Sequence, residues 1–286
     1  MTDFIAEVCS NHNGDLNRAL ALIDKAVEIG CSGVKFQLFR IDSLFAPEAL
    51  AHPDYQFIQQ RREWELPLEW LPILKARCVE WGIQFGCTPF YIGAVEELLP
   101  FVDFYKVASY SLLHDDLLEA IANTGKPIIL STGMADYEEI NWAILMLSCV
   151  KDLTILHCVS SYPTPLSQVN PARLFHLEER FGHKVGYSDH SVNPAVVYVL
   201  HNVTSNKLIE FHLDLDGQGR EYNIGHCWLP EQIAPVIVTC KELDEVWTRA
   251  LKEELEFSPS EQQERLWRAD PSDGLRPLRE ERERLR

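Results

Sequence analysis

The residues best suited to chemistry are two histidines and a carboxylate in the second half of the chain. Val185-Gly186-Tyr187-Ser188-Asp189-His190 is a short apolar run that breaks into polar residues, and Leu208-Ile209-Glu210-Phe211-His212 closes in the same way. If both runs are strands, His190 and His212 stand at the same end of neighbouring strands. The two-residue repeat of a strand then puts Glu210 and His212 on one face. Two imidazoles and a carboxylate converging like this can ligate a divalent metal. The same spacing also suits a pair of hydrogen-bonded histidines that cap strands, and spacing alone leaves the two readings open.

Two lysines carry a second signal. Lys35 lies inside Gly33-Val34-Lys35-Phe36-Gln37 and Lys106 inside Phe104-Tyr105-Lys106-Val107, both otherwise apolar. An ammonium buried in such a strand is costly unless it meets a carboxylate or an anionic ligand. With Thr88 and the hydroxyls of Ser109 and Ser131, the lysines would form a cradle for a small phosphate-bearing anion. The plainer alternative pairs each lysine with a strand-end carboxylate such as Glu7.

The elements that must position these groups follow from hydrophobic periodicity. Short apolar runs predict strands at 4–8, 33–37, 84–87, 104–107, 128–130, 153–157, 185–188 and 208–212, each followed by a helical pattern. Eight β-α alternations in 286 residues predict a (β/α)8 TIM barrel, single domain, spanning 1–256, with a C-terminal extension over 257–286. A doubly wound open sheet is the weaker alternative. Residues 38–66, with Pro47, Pro53 and the polar run Gln59-Gln60-Arg61-Arg62, read as an active-site loop or insertion. The helix after Pro67 is expected to carry Trp70, Leu71, Leu74, Cys78 and Trp81 on its apolar face. His157 reads as a core histidine with its ring nitrogens satisfied. The tail is expected to cross the barrel surface, with Arg279–Arg286 solvated or disordered.

Composition narrows the function. A hydrophobic content of 46% with 24% charged residues fits a globular protein, and a net charge of −17 opposes general affinity for nucleic acid or anionic membrane. No apolar run approaches a membrane span, and the N-terminus lacks the layout of a signal peptide, so a cytoplasmic protein is expected. Eight cysteines without a C-x-x-C pair read as reduced thiols.

The strand-end motifs, in their order, resemble the N-acetylneuraminate (sialic acid) synthase family. The residues that carry the resemblance are Ile5-Ala6-Glu7 with Asn11-His12-Asn13-Gly14, Val34-Lys35-Phe36-Gln37, Cys87-Thr88-Pro89-Phe90, Tyr105-Lys106-Val107-Ala108-Ser109 and Gly125-Lys126-Pro127 with Leu130-Ser131-Thr132-Gly133-Met134. They continue with Tyr162-Pro163-Thr164-Pro165, Gly186-Tyr187-Ser188-Asp189-His190 and Glu210-Phe211-His212. The resemblance implies a barrel enzyme that condenses phosphoenolpyruvate with an open-chain N-acylated hexosamine, releasing phosphate. It further implies a divalent metal, Mn2+ first, with Mg2+, Co2+ or Zn2+ as alternatives. It assigns Lys35, Thr88, Lys106, Ser109, Ser131 and Ser160 to phosphoenolpyruvate, and Glu7, Gln37 and Tyr162 to the sugar. His190 and His212 become metal ligands, and Glu210 works on water or the sugar near them. A likeness to metal-dependent 3-deoxy-octulosonate 8-phosphate synthases adds Cys9 as a further ligand; for the third protein ligand Glu210, Cys9 and His226 compete.

Two departures stand out. The family's C-terminal antifreeze-like domain, which supplies an arginine to the sugar, has no room after about residue 257, so a short form is expected, with Arg220 or Arg268 in the arginine's place. Assembly stays open between a monomer and a homo-oligomer. Beside a synthase, two other readings are a pyruvate aldolase with Lys35 or Lys106 as Schiff base, and a noncatalytic phosphoenolpyruvate or sugar sensor.

Overall fold

The computed structural model describes residues 2–203, 208–250 and 257–286, without the side chains of 248–250. The chain divides into two compact units, Met1–Glu242 and Leu243–Arg286. The first is a closed barrel. Its strands are β1 (Asp3–Glu7), β2 (Gly33–Leu38), β3 (Gln84–Pro89), β4 (Phe104–Val107), β5 (Ile128–Ser131), β6 (Leu153–His157), β7 (Lys184–Asp189) and β8 (Leu208–Leu213). All pair in parallel in sequence order, and β8 returns to β1. The expected (β/α)8 barrel is the fold. A short ninth strand, β9 (Cys227–Trp228), adds to β8 in parallel and was not legible in the apolar pattern.

Helices alternate with the strands: α1 (Leu16–Glu28), α2 (Leu71–Trp81), α3 (Ile92–Leu98), α4 (Asp115–Ala122), α5 (Tyr137–Met146), α6 (Ala172–Phe181), α7 (Pro194–Val203) and α8 (Pro230–Ala250). Local chemistry fixes their ends. The Asp15 carboxylate accepts the Asn17 N–H ahead of α1, and Asp136 with Glu139 forms a capping box on α5. On α2, Leu71, Leu74 and Cys78 are buried as expected, but Trp81 is not. It lies on the outer side, where its indole N–H donates to Asp24 and Arg77 stacks on its ring. Residues 41–64 fold into a chain of short helical turns, which gives the expected insertion local structure of its own.

The inward side of the barrel explains the site. Ile5, Phe104, Ile129 and Leu156 form a separate apolar cluster. Strand periodicity places a further residue of the same face two positions on: Glu7, Lys106, Ser131 and Cys158. An apolar plug thus closes the barrel below a layer of polar residues at the carboxyl ends of the strands. Gly86 makes room for the plug: a Cβ there would lie 2.1 Å from the Phe104 ring.

In the second unit, Arg279–Arg284 is a helix with no buried residue, so its charges are solvated for most of its length. Arg282 forks onto Asp273 at 2.8 and 2.9 Å, and Asp270 accepts the Arg279 N–H at 2.7 Å. All eight cysteines are free, and only Cys149 is exposed. Among the described residues no helix is long and apolar enough to cross a membrane.

The plug predicts a stability coupling. Gly86→Ala should cost roughly 1–3 kcal/mol by overpacking, read from denaturant unfolding midpoints. Adding Phe104→Leu should cost less than the sum of the two single changes. Strict additivity would show that the ring and Gly86 do not share this space.

Candidate active site

The polar layer floors a cavity of about 570 Å³. Register sets its first pair: Glu7 lies opposite Lys35 across β1 and β2, and the two side chains form a buried ion pair. Lys35 Nζ also donates to Thr88 Oγ1 at 3.0 Å. The second pair repeats the pattern. Lys106 Nζ donates to Ser131 Oγ at 2.6 Å and stands 3.6 Å from Glu210 Oε1. Both lysines therefore have strand-end carboxylate partners, the plainer of the two arrangements open from sequence, and both still line the cavity.

Glu210 is a strongly perturbed carboxylate. Burial raises its pKa, but Lys106 and then Lys35 outweigh that and hold it at about 2. Ser188, opposite Glu210 in the β7–β8 register, donates to Oε1 at 3.1 Å. Oε2 is buried with no hydrogen-bond partner among the described residues. This leaves a fixed, ionised oxygen free to accept a proton.

The other half of the cavity is a cluster of imidazoles. The His190 and His212 rings lie 5.3 Å apart and those of His212 and His226 4.4 Å apart, centre to centre. Tyr162 packs on this group, 4.3 Å from His190 and 4.9 Å from His226. His190 Nδ1 is 2.9 Å from the Val159 carbonyl. A carbonyl only accepts, so Nδ1 carries the proton and the neutral ring presents the Nε2 lone pair. Burial, then His212, pushes His190 down to about 3, which keeps the ring neutral at ordinary pH.

Glu221 joins these groups, and nothing in the apolar pattern marked it. Cys9 Sγ donates to its Oε1 at 2.7 Å, while Oε2 lies 3.4 Å from His212 Nδ1 and 3.6 Å from His226 Nε2. Burial would raise this carboxyl, but its contacts with His212 and His226 prevail and hold it well below the usual carboxylate range. The segment carrying it is clamped by Asn11, whose Nδ2 donates to the Leu213 carbonyl at 3.0 Å and whose Oδ1 accepts the Glu221 N–H at 2.9 Å. Arg18 locks the clamp, donating to the Asn11 carbonyl and to Asp214, each at 2.7 Å. The β8–β9 pairing, with His212 opposite Cys227, then brings His226 beside His212.

Of the residues singled out from sequence, Glu7, Cys9, Lys35, Gln37, Thr88, Lys106, Ser109, Ser131, Tyr162, His190, Glu210 and His212 line this one cavity. Ser160 is not among them. Its hydroxyl is buried against Gly133, where a Cβ on the glycine would sit 2.2 Å away, and has no hydrogen-bond partner among the described residues. Arg220 is also outside the lining and is held by Glu63 at 3.0 Å; Arg268 belongs to the second unit. His157 is buried beside Tyr187, in the core as expected, but it is not the satisfied histidine expected: neither ring nitrogen has a hydrogen-bond partner among the described residues.

The electrostatics of Glu210 predict a pH signature. Its folded pKa is depressed from an ordinary 4.5 to about 2, so it adds stability above 4.5 that is lost as pH falls toward 2. Denaturant unfolding should show Glu210→Gln less stable than the native chain at neutral pH, with the gap narrowing through that window. A gap independent of pH would contradict the assignment.

Three comparisons bear on identity. The family model of the NeuB family matches residues 22–252. An N,N'-diacetyllegionaminic acid synthase of Campylobacter jejuni is 35% identical over 203 residues, covering 66% of this chain and 61% of that protein. A pseudaminic acid synthase of Helicobacter pylori is 34% identical over 227 residues, 74% of this chain and 65% of that protein. The chain thus spans under two thirds of these relatives' length. The crystal structure of the N-acetylneuraminic acid synthetase from Leptospira borgpetersenii, in complex with citrate, superposes with a TM-score of 0.77 at 29% identity, covering 92% of this chain and 90% of that one. With a family match across most of the barrel and relatives of this similarity, the chain belongs to the NeuB family.

Proposed function

We propose that the protein condenses phosphoenolpyruvate with an open-chain N-acylated hexosamine of the N-acetylmannosamine type, giving a nine-carbon 2-keto sugar acid and phosphate. One observation carries this reading. A lysine and hydroxyl floor and a cluster of three imidazoles with a carboxylate share one cavity, so an anion and a carbonyl can be held side by side. Membership of the NeuB family supports it.

The floor would take phosphoenolpyruvate. Lys35, Thr88, Lys106, Ser109 and Ser131 offer donors to its phosphate and carboxylate, with the charge held out of bulk water. C3 of phosphoenolpyruvate attacks the aldehyde carbon as the enol C=C pair forms the new C–C bond, leaving positive charge shared by C2 and its bridging oxygen, and the aldehyde oxygen takes a proton from solvent. Water adds at C2 as Glu210 Oε2 accepts one of its protons; the tetrahedral carbon then breaks its C–O bond to phosphate, and its hydroxyl gives its proton to the departing phosphate as the 2-keto group forms. Both amines are tied to carboxylates, which opposes the free amine that a Schiff base needs.

The donors also fit a divalent metal. His212 Nδ1 and His226 Nδ1 are buried without hydrogen-bond partners among the described residues, and ligand atoms of His212, Glu221, His226 and Cys227 lie within 4.8 Å of one another. His212, Glu221, His226 and Cys227 would hold the ion, with His190 and Cys9, which line the same cavity, as further candidate donors. When bound, it supplies Lewis acidity toward a carbonyl. Sulfur beside imidazoles suits Zn2+ or Co2+ better than the Mn2+ expected from the resemblance.

Phosphate release from phosphoenolpyruvate should require both an N-acylated hexosamine and a divalent ion, and chelation should abolish it reversibly. Lys35→Met and Lys106→Met should each lower kcat/KM for phosphoenolpyruvate roughly 10- to 100-fold, from the loss of a charged hydrogen bond worth about 1.5–3 kcal/mol. No turnover with any such sugar across Mn2+, Co2+, Zn2+ and Mg2+, despite bound phosphoenolpyruvate, would favour a noncatalytic barrel. Trapping of pyruvate by borohydride would favour the aldolase.

A further inference from the structure

The insertion between β2 and α2 puts a cation on the cavity wall that the mechanism above leaves unused. Arg61 lines the cavity at the start of the turn Arg61–Trp64. Its guanidinium lies 5.3 Å from the Trp64 ring centre and 5.8 Å from that of Phe57. Among the described residues it has no carboxylate or carbonyl partner. Its neighbours are all engaged: Arg40 donates to the carbonyls of Phe39 and Leu66 at 2.8 and 3.1 Å, Arg62 forks onto Asp42, and Arg220 takes Glu63. Glu65, the other nearby acid, accepts the Ile41 N–H at 2.8 Å. In a chain of net charge −17, an arginine held by aromatic rings and without a carboxylate partner among the described residues is set up to meet a ligand.

The position restricts what that ligand offers. The Trp64 ring under Arg61 belongs to an apolar cluster with Phe39, Phe45 and Phe90 that lines this part of the cavity, whereas the ionised groups sit on the floor and in the histidine cluster. A sugar whose carbonyl faces those groups would present its far end, rich in oxygen acceptors, to this wall. Guanidinium is all donor, with a planar fork matched to paired oxygens. We propose that Arg61 is a specificity-determining residue that binds the far end of the acceptor sugar, through hydroxyl or phosphate oxygens. This rests on the function proposed above.

Arg61→Met keeps a stem that can pack on Trp64 and removes the donors. At saturating phosphoenolpyruvate it should raise the acceptor KM at least about tenfold, equivalent to roughly 1.4 kcal/mol, leaving the KM for phosphoenolpyruvate within about twofold. Arg61→Lys should recover part of the loss, and Arg62→Met should leave both constants unchanged. Running N-acetylmannosamine and its 6-phosphate in parallel separates the oxygen sources: a larger loss for the phosphorylated sugar assigns Arg61 to phosphate, and equal losses assign it to hydroxyls. An unchanged acceptor KM in Arg61→Met would overturn the proposal while leaving the synthase reading intact. If no sugar turns over, the synthase reading fails by itself. Calorimetric titration of the same two sugars then decides for Arg61: weaker binding to the variant supports it, and equal or absent binding to both proteins overturns it.

Discussion

Two ammonium groups under the mouth of a barrel must be neutralised where they stand, and much of the site follows from how this is done. Lys35 and Lys106 are almost fully buried, and parallel register sets Glu7 opposite Lys35. Glu210 serves Lys106 from across the barrel. Buried ion pairs of this kind are weak evidence for stability, because desolvation offsets the Coulombic gain and an apolar replacement is often no worse. Four charges held in this layer above an apolar plug are therefore better explained by what they do to a ligand. They present donors without net charge, and they keep Glu210 ionised with one oxygen free.

The second half of the cavity depends on a segment that is not part of the eight-fold repeat. β9 extends β8 by two residues, and the preceding loop is tied to the first strand's end through Asn11, Arg18 and Asp214. This ties Glu221 and His226 to His212 from β8 and Cys9 from the turn after β1. Asp189 adds a further brace: fully buried, it accepts the Trp228 indole N–H at 2.8 Å and so links the β7 end, which carries His190, to β9. The histidine cluster thus rests on contacts between the first strand and the last, across the point where the barrel closes.

Legibility in the sequence followed physical rules. The strands were readable because each is a short apolar run, and the floor because a lysine or glutamate interrupting such a run stands out. Glu221 was not readable: it sits in a glycine-rich loop eight residues past β8, among other polar residues, and is fixed by side chains far away in sequence, Asn11 and Asn13 among them. Arg61 was hidden for a related reason. In Gln59-Gln60-Arg61-Arg62 it looks like its neighbour, and only folding separates an arginine paired with Asp42 from one turned to the cavity. Ser160 differs in the opposite sense: its place along the chain is at a strand end, but its hydroxyl lies against Gly133, outside the cavity lining. The partners of Lys35 and Lys106 could be posed as alternatives from sequence but not chosen, because register decides them.

The central claim is that one cavity joins an enol phosphate to a sugar aldehyde with cleavage of the C–O bond. Phosphoenolpyruvate carrying heavy oxygen in its C–O–P bridge tests it most directly, with products analysed by mass spectrometry after turnover with an N-acylated hexosamine. The account predicts all of the label in the released phosphate and none in the keto acid. Label retained in the organic product would mean attack at phosphorus, and the account of the site would be wrong.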